Sequence, residues 1–336
     1  MRVLNVGGTG NISCGITKAL LSAGHAITFF NRGLTEGDLP TGVRVLRGDR
    51  NERSDFEARV RAERFDVAID MICYTAADAE SDVRAFQGVR QVIHTSTVAI
   101  FGGALRQTPT NEDSPPNPVT PYARGKVEAD AVLETAHQRG DFAVTTSLPA
   151  QTWGYQHTLL RQLGRGNGWP DRLRRGLPLL HTHDGQLIWS ECPADDAGVA
   201  YAAAVDRSRC FGQRYILTRP GYATWRQYHD AVTEGLGMVA TYVDAPADTL
   251  IEALPDMTDL LAVESRWNRI YDTSKIQRDI PEFRPRIRLG DRIGEIVRSL
   301  DARGAIPDAR VDDREDCVIA DLAHLRGRLR AMSQGG

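Results

Sequence analysis

In the first half of the chain, short apolar runs alternate with segments of helical character, and this alternation limits the possible fold more than any other feature. Runs such as Val67-Ala68-Ile69 and Val92-Ile93 are apolar at successive positions, which indicates strands buried on both faces. Strands of this kind belong to parallel sheets whose connections are helices. The pattern therefore predicts an α/β fold with a doubly wound parallel sheet.

The predicted elements of this half follow one another closely. We predict strands at Val3–Val6, Ala26–Phe30, Arg44–Arg47, Val67–Met71, Gln91–Thr95 and Ala143–Leu148, and helices at Ile12–Ala23, Ser54–Glu63 and Asp78–Phe86. From about Trp153 the alternation ends, and Gly-, Arg- and Pro-rich stretches appear. We therefore expect residues 1–152 to form the main domain, with segments near 186–220 returning to it. Residues 153–336 should form a smaller C-terminal region that binds the substrate.

Composition and charge exclude several classes of partner. The 336 residues are 41% hydrophobic and carry a net charge of −3, so no global basic field attracts nucleic acid or a membrane. The cysteines are scattered without CxxC spacing, and no apolar run reaches transmembrane length. With no signal-peptide pattern at the N-terminus, we expect a cytoplasmic protein. His181 and His183 are metal-ligand types, but two close histidines in a loop predict no metal site.

A glycine-rich turn follows the first predicted strand and opens the first predicted helix. Its sequence is Gly7-Gly8-Thr9-Gly10-Asn11-Ile12-Ser13. The first glycine permits a tight turn, and Gly10 lets the backbone approach a pyrophosphate at the helix N-terminus. The third position of this motif is normally glycine and is Ser13 here. We expect a dinucleotide to bind at Gly7, Thr9, Gly10, Asn11 and Ile12; the alternative is a turn without a ligand.

The residues after the second and third strands bear on the choice of cofactor. An NAD site usually has an acidic residue after the second strand, and this chain has Asn31-Arg32 instead. Asn31 does not repel a 2′-phosphate, and Arg32 can pair with one, which favours NADP over NAD. The alternative is that Arg32 is only a surface charge. Asp49 and Arg50 follow the third strand, and we expect them to bind the adenosine part of the cofactor.

A second motif, Pro121-Tyr122-Ala123-Arg124-Gly125-Lys126, carries the predicted chemistry. Thr120 can cap a helix that Pro121 begins, and Tyr122 and Lys126 then share one face. The Lys126 ammonium favours the tyrosinate and so lowers the pKa of Tyr122. Thr97, after the fifth strand, can hold the reacting oxygen by a hydrogen bond. Together these residues predict proton exchange at a hydroxyl while hydride passes between carbon and nicotinamide.

With these motifs the chain resembles the extended short-chain dehydrogenases/reductases of the NAD-dependent epimerase/dehydratase family. The resemblance covers nearly the whole chain and implies a Rossmann fold with Thr97, Tyr122 and Lys126 as catalytic residues. It further implies that Lys126 holds the nicotinamide ribose and that Pro149 lines the nicotinamide. Cys73 and Tyr74 follow the fourth strand, and from this position we expect them to border the cofactor. Similar proteins form dimers through a four-helix bundle, so we expect a homodimer.

The implied activity is redox chemistry or epimerisation on a sugar, most often a nucleotide-linked one. The 4,6-dehydratases carry Thr-Asp-Glu where this chain has Thr97-Val98-Ala99, so dehydration is disfavoured. Arg32 favours a reductase, whereas the overall resemblance favours an epimerase, and both remain open. The rival from another class is a non-catalytic NAD(P)-binding redox sensor or an RNA-associated protein of the same fold. The intact Thr97, Tyr122 and Lys126 set argues against it.

Overall fold

A computed structural model of the chain describes residues 1–34, 41–154, 159–166 and 168–334. Its contacts divide into two compact units, and each is described by itself. Unit 1 comprises residues 1–154, 190–221 and 270–287. Unit 2 comprises residues 155–189, 222–269 and 288–336.

A seven-stranded sheet forms the centre of unit 1. Its strands are β1 (Arg2–Val6), β2 (Ala26–Asn31), β3 (Arg44–Arg47), β4 (Val67–Asp70), β5 (Gln91–Thr95), β6 (Ala143–Pro149) and β11 (Gln213–Leu217). They lie in the order β11-β6-β5-β4-β1-β2-β3, and every pairing is parallel. Every residue of β4 and β5 is buried. The sheet confirms the predicted doubly wound Rossmann fold, and the apolar runs are its central strands.

Helices cover both faces of this sheet. They are α1 (Asn11–Ser22), α2 (Arg53–Ala62), α3 (Ala76–Ala85), α4 (Pro121–Arg139), α6 (Ala194–Ala204) and α9 (Ser274–Asp279). One apolar cluster contains Ile16, Phe29 and Tyr201, and the other contains Phe30, Phe56 and Leu133. Short turns of 3-10 helix lie at Val98–Phe101 and Ser208–Cys210, and the short strands β7 (Gln151–Trp153) and β10 (Glu191–Pro193) pair in parallel.

Of the segment that returns to unit 1 after residue 190, only β11 adds a strand to the sheet. The helix α6 packs on α1 instead, and glycines on both helices make this approach possible. A Cβ atom on Gly15 would lie 1.9 Å from the Ala194 carbonyl oxygen, and one on Gly198 would lie 2.1 Å from the Gly15 carbonyl oxygen. Two helix backbones therefore touch directly behind the glycine-rich turn.

Unit 2 has short elements around its own core. They are α5 (Trp169–Arg174), β8 (Leu179–His181), β9 (Ile188–Trp189), β12 (Ala223–Thr224), α7 (Trp225–Gly235), β13 (Tyr242–Asp244), α8 (Ala247–Ala253), α10 (Leu289–Ala302) and α11 (Arg314–Gln334). Strands β9 and β12 pair antiparallel, and β8 and β13 pair parallel. Leu180, Leu250 and Leu261 belong to its apolar core. Among the described residues, no helix has both the length and the apolarity needed to cross a lipid bilayer.

Candidate active site

The glycine-rich turn joins β1 to α1 and has room for a ligand. Gly7 has a φ of +82°, a conformation that L side chains rarely adopt. Gly10 caps α1 without a side-chain hydrogen bond, and a Cβ atom there would have only Ser13 Oγ, at 3.8 Å, within 4 Å. Ser13 Oγ donates a hydrogen bond to the Gly7 carbonyl at 3.0 Å. The serine at the third motif position thus fixes the turn, while the backbone at Gly10 stays open to a pyrophosphate.

A cleft of about 440 Å³ begins at this turn. Its lining includes most of the residues predicted for the cofactor, namely Gly7, Thr9, Gly10, Asn31, Arg32, Asp49 and Arg50. Asn11 and Ile12 lie in the first turn of α1, next to the free N–H groups of the helix. The cleft therefore joins the glycine-rich turn to the ends of β2 and β3.

Arg32, at the end of β2, lines the cleft. Asn31 Oδ1 accepts a hydrogen bond from the Gly33 N–H at 3.0 Å, which holds the turn after the strand. Asp49 Oδ1 accepts from the Asn51 N–H at 2.9 Å. Arg32 is exposed and makes no hydrogen bond or ion pair with the residues that the structure describes. Its guanidinium is thus available to an anionic ligand.

Arg50, predicted as a cofactor residue, has a different environment. It is only 5% exposed, and its guanidinium lies 2.9 Å from Asp70, 3.2 Å from Asp78 and in direct contact with Asp82. Burial alone would lower the pKa of Arg50, but the carboxylates of Asp70 and Asp82 raise it above its ordinary value. Burial and the Asp70 carboxylate also raise the pKa of Asp82. The guanidinium is therefore held by buried carboxylates, although Arg50 also lines the cleft.

The motif residues Tyr122 and Lys126 lie on the first two turns of α4. Thr120 Oγ1 accepts from the Ala123 N–H at 3.1 Å, and Pro121 is the first helical residue, which confirms the predicted start of the helix. Tyr122 is 47% exposed, whereas Lys126 is 1% exposed. The Lys126 Nζ lies 5.9 Å from the centre of the Tyr122 ring. The structure thus places a buried ammonium beside an accessible phenol.

Two backbone carbonyls hold the Lys126 ammonium at the ends of β4 and β5. Nζ donates to the Cys73 carbonyl at 2.7 Å and to the Thr95 carbonyl at 2.6 Å. Burial lowers the pKa of Lys126, although the carboxylates of Asp70 and Asp130 oppose that shift. The lysine is therefore a rigidly placed donor group at the carboxyl edge of the sheet.

Thr97 follows β5, two residues after the carbonyl that binds Lys126. Its Oγ1 accepts a hydrogen bond from the Ala99 N–H at 3.2 Å. Within the described part of the chain, its hydroxyl hydrogen has no acceptor. Thr97 can therefore donate a hydrogen bond to a substrate oxygen.

A buried carboxylate not predicted from the sequence ties α4 to β5. Asp130 follows Lys126 by one helical turn and accepts from Ser96 Oγ at 3.0 Å, while His94 Nε2 lies 3.0 Å from its other oxygen. The Arg214 guanidinium donates a hydrogen bond to Asp130 Oδ2 at 2.9 Å. Burial alone would raise the pKa of Asp130, but the hydrogen bond and charge of His94 and the charge of Arg214 lower it. These contacts hold Ser96 against α4. Thr97 is the next residue in the chain, so it is also held relative to the helix that carries Tyr122.

The remaining predicted residues lie deeper. The Cys73 side chain is fully buried, and burial raises the pKa of its thiol; its carbonyl is the group that meets Lys126. Pro149 ends β6 opposite Leu217 of β11 and is buried. Tyr74, expected with Cys73 at the border of the cofactor, lines the cleft.

Comparison with known proteins adds independent findings. Residues 3–213 match the model of the NAD dependent epimerase/dehydratase family. The chain is 30% identical over 328 residues, 97% of this chain and 92% of the relative, to a 2′-dehydrokanamycin reductase from Streptomyces kanamyceticus. It is 26% identical over 210 residues, 62% of each protein, to a UDP-glucose 4-epimerase from Mycolicibacterium smegmatis.

A solved structure shows the same fold. The UDP-glucose 4-epimerase from Stenotrophomonas maltophila with bound NAD and formylated UDP-arabinopyranose is 17% identical and has a TM-score of 0.73. The match covers 90% of this chain and 99% of that one. At this identity the likeness concerns the fold alone.

Proposed function

The chain belongs to the NAD-dependent epimerase/dehydratase family, and from this premise we propose that it is an NADP-dependent ketoreductase acting on a sugar. The observation that carries the choice of NADP is Arg32 in the cleft, next to Asn31 where NAD sites have an acid. Its guanidinium pairs with none of the residues that the structure describes. The choice of reductase is supported by the relative that matches 97% of this chain. We propose a nucleotide-linked sugar as the first substrate class to test, bound by unit 2.

The cleft has the features that a dinucleotide requires. The open backbone at Gly10 and the free N–H groups of α1 suit a pyrophosphate. Arg32 would pair with the 2′-phosphate, and Asp49 would accept from the adenine amino group. The Lys126 ammonium would bind the ribose next to the nicotinamide, which supplies the hydride when it is bound.

The chain's own residues perform the proton chemistry. Thr97 donates a hydrogen bond to the substrate carbonyl oxygen and orients it. Tyr122 gives its phenolic proton to that oxygen as the carbon is reduced, and the Lys126 ammonium stabilises the resulting phenolate. Asp130 accepts a hydrogen bond from Ser96, the residue before Thr97, and so holds this strand end against the helix that carries Tyr122.

A titration of the two cofactors tests the choice of NADP. Arg32→Ala removes a charge-assisted contact worth about 1.5–3 kcal/mol, so NADP affinity should fall more than about tenfold while NAD affinity changes little. Arg139→Ala, which removes an exposed arginine at the far end of α4, is the matched control. Equal losses for both cofactors in Arg32→Ala would contradict a 2′-phosphate contact.

Turnover tests the role of Tyr122. Proton transfer of this kind contributes about 10²–10⁴-fold, so Tyr122→Phe should lose at least that order of rate and keep cofactor affinity. The substrate is found by following NADPH absorbance over a panel of nucleotide-linked and free keto sugars. Tyr222→Phe, at a tyrosine that is 63% exposed, is the control. If Tyr122→Phe turned over at the parent rate, the proposed proton transfer by Tyr122 would be wrong.

Epimerisation is the second candidate, favoured by the epimerase relative that matches 62% of the chain. An epimerase regenerates its cofactor in each cycle, so it should purify with tightly held NAD and interconvert two sugars without net absorbance change. Extraction of the bound nucleotide distinguishes the two candidates.

We also propose that the protein is a homodimer. Helices α3 and α4 of each copy would form a four-helix bundle with those of the second copy. Light scattering at micromolar concentration should give twice the chain mass, and the chain mass alone would contradict the proposal.

A further inference from the structure

Tyr74 occupies a fixed place between the cleft and the catalytic helix. Its backbone N–H donates to Asp78 Oδ2 at 3.0 Å. Its carbonyl oxygen lies 2.4 Å from where a Cβ atom on Gly125 would be, so α4 touches this loop directly. Its side chain is 45% exposed and lines the cleft. These contacts hold the Tyr74 backbone in place, at the point from which its ring extends.

The ring faces the Lys126 ammonium. Nζ lies 4.7 Å from the centre of the Tyr74 ring, closer than the 5.9 Å to the Tyr122 ring. An ammonium within about 6 Å of an aromatic face is attracted by the ring quadrupole, most strongly where water is excluded. Lys126 is 1% exposed, and two carbonyls use two of its three N–H groups. Because water has almost no access to the Lys126 ammonium, the aromatic face stabilises its charge instead.

We propose that Tyr74 is a positioning residue for Lys126, and that its ring keeps the buried ammonium charged beside Tyr122. The proposal rests on the proposed proton transfer by Tyr122, because a neutral Lys126 would no longer stabilise the phenolate. Tyr74 itself transfers no proton. Its contribution is the electrostatics of the ring face, so phenylalanine should replace it and an aliphatic residue should not.

Other charged groups also act on this ammonium. Asp70 at the end of β4 and Asp130 on α4 favour its charged form, whereas Arg50 disfavours it. None of them changes in a Tyr74 variant. A difference between Tyr74→Leu and Tyr74→Phe therefore reports the aromatic ring.

The titration of Lys126 can be observed directly, because the lysines of the chain are Lys18, Lys126 and Lys275. Lysine labelled with ¹³C at Cε gives one NMR signal for each, and Lys126→Met identifies the signal of interest. In Tyr74→Leu, the acid dissociation constant of Lys126 should be about tenfold larger than in the parent protein. This factor corresponds to the usual strength of a desolvated cation–π contact. Tyr74→Phe should retain the Lys126 titration of the parent protein.

Turnover then separates this proposal from the proposed function. Tyr74→Leu should lower kcat about tenfold at alkaline pH, less at neutral pH, and the alkaline limb of its pH profile should move to lower pH. An unchanged Lys126 titration in Tyr74→Leu would overturn the proposal, and so would a Tyr74→Phe protein that behaves like Tyr74→Leu. The Lys126 titration could shift in Tyr74→Leu although the parent protein reduces no sugar. That result would support the contact between Tyr74 and Lys126 and contradict the proposed reaction. If Tyr74→Leu does not fold, Tyr74→Met takes its place in the same titration.

Discussion

Arg50 should be a determinant of stability rather than of cofactor binding, and Arg50→Met tests this. The side chains of Arg50, Asp70 and Asp82 are at most 4% exposed, so the variant leaves carboxylates buried without their cation. Removing one partner of a buried ion pair costs about 3–5 kcal/mol. Since Arg50 faces three carboxylates, we expect a loss at the upper end of that range. That loss is a large part of a typical stability of about 5–15 kcal/mol.

The loss should depend on pH in a defined direction. Burial and the Asp70 carboxylate raise the pKa of Asp82 above its unfolded value, so its contribution to stability is complete at low pH and falls as the pH rises through the folded pKa. Without Arg50, Asp82 loses the positive charge that lowers its pKa, so its deprotonation in the folded protein becomes more costly. The deficit of Arg50→Met should therefore grow as the pH rises above the unfolded pKa of aspartate, about 3.9.

Urea unfolding followed by circular dichroism measures the deficit. Arg53→Met is the matched control, because the Arg53 side chain is 42% exposed and, of the carboxylates in the described residues, pairs only with Asp78. It should cost at most about 1 kcal/mol. Adding Asp82→Asn to Arg50→Met should restore part of the lost stability. Equal losses in the two arginine variants, or a deficit independent of pH, would refute the reasoning.

Further predictions concern glycines whose surroundings differ. Gly10→Val should abolish cofactor binding in a calorimetric titration while the melting temperature stays nearly unchanged, because among the described residues that are not its chain neighbours only Ser13 lies within 4 Å of the added Cβ position. Gly15→Ala should destabilise the protein by about 1–3 kcal/mol in urea unfolding, because its Cβ atom would lie 1.9 Å from a carbonyl oxygen of α6. Gly327→Ala, in α11 with nothing within 4 Å, should be neutral or stabilising by up to about 1 kcal/mol. Normal NADP binding by Gly10→Val, or a stable Gly15→Ala, would contradict these interpretations.

The sheet could be predicted because each of its strands is recognisable from a short run of consecutive residues. The runs at Val67 and Val92 are apolar at every position, and the predicted strands of the first half end within one residue of the observed ones. Tyr122 and Lys126 were predictable because helical spacing alone places them on one face. Arg50 was not, because its environment depends on aspartates from β4 and α3 that approach it only in the folded chain. Asp130 was missed for the same reason, since its partners come from β5 and β11.

The assembly of unit 1 from three chain segments has a consequence for synthesis. When residue 154 leaves the ribosome, β6 still lacks its neighbour β11, and α1 still lacks α6, because both are made after residue 190. Until then the nascent chain presents an open strand edge and an uncovered apolar helix face, both of which favour aggregation. Pairing between distant parallel strands is slow. The cofactor site therefore reaches its final packing late in translation, and a fragment ending at Gly154 should require a chaperone to stay in solution.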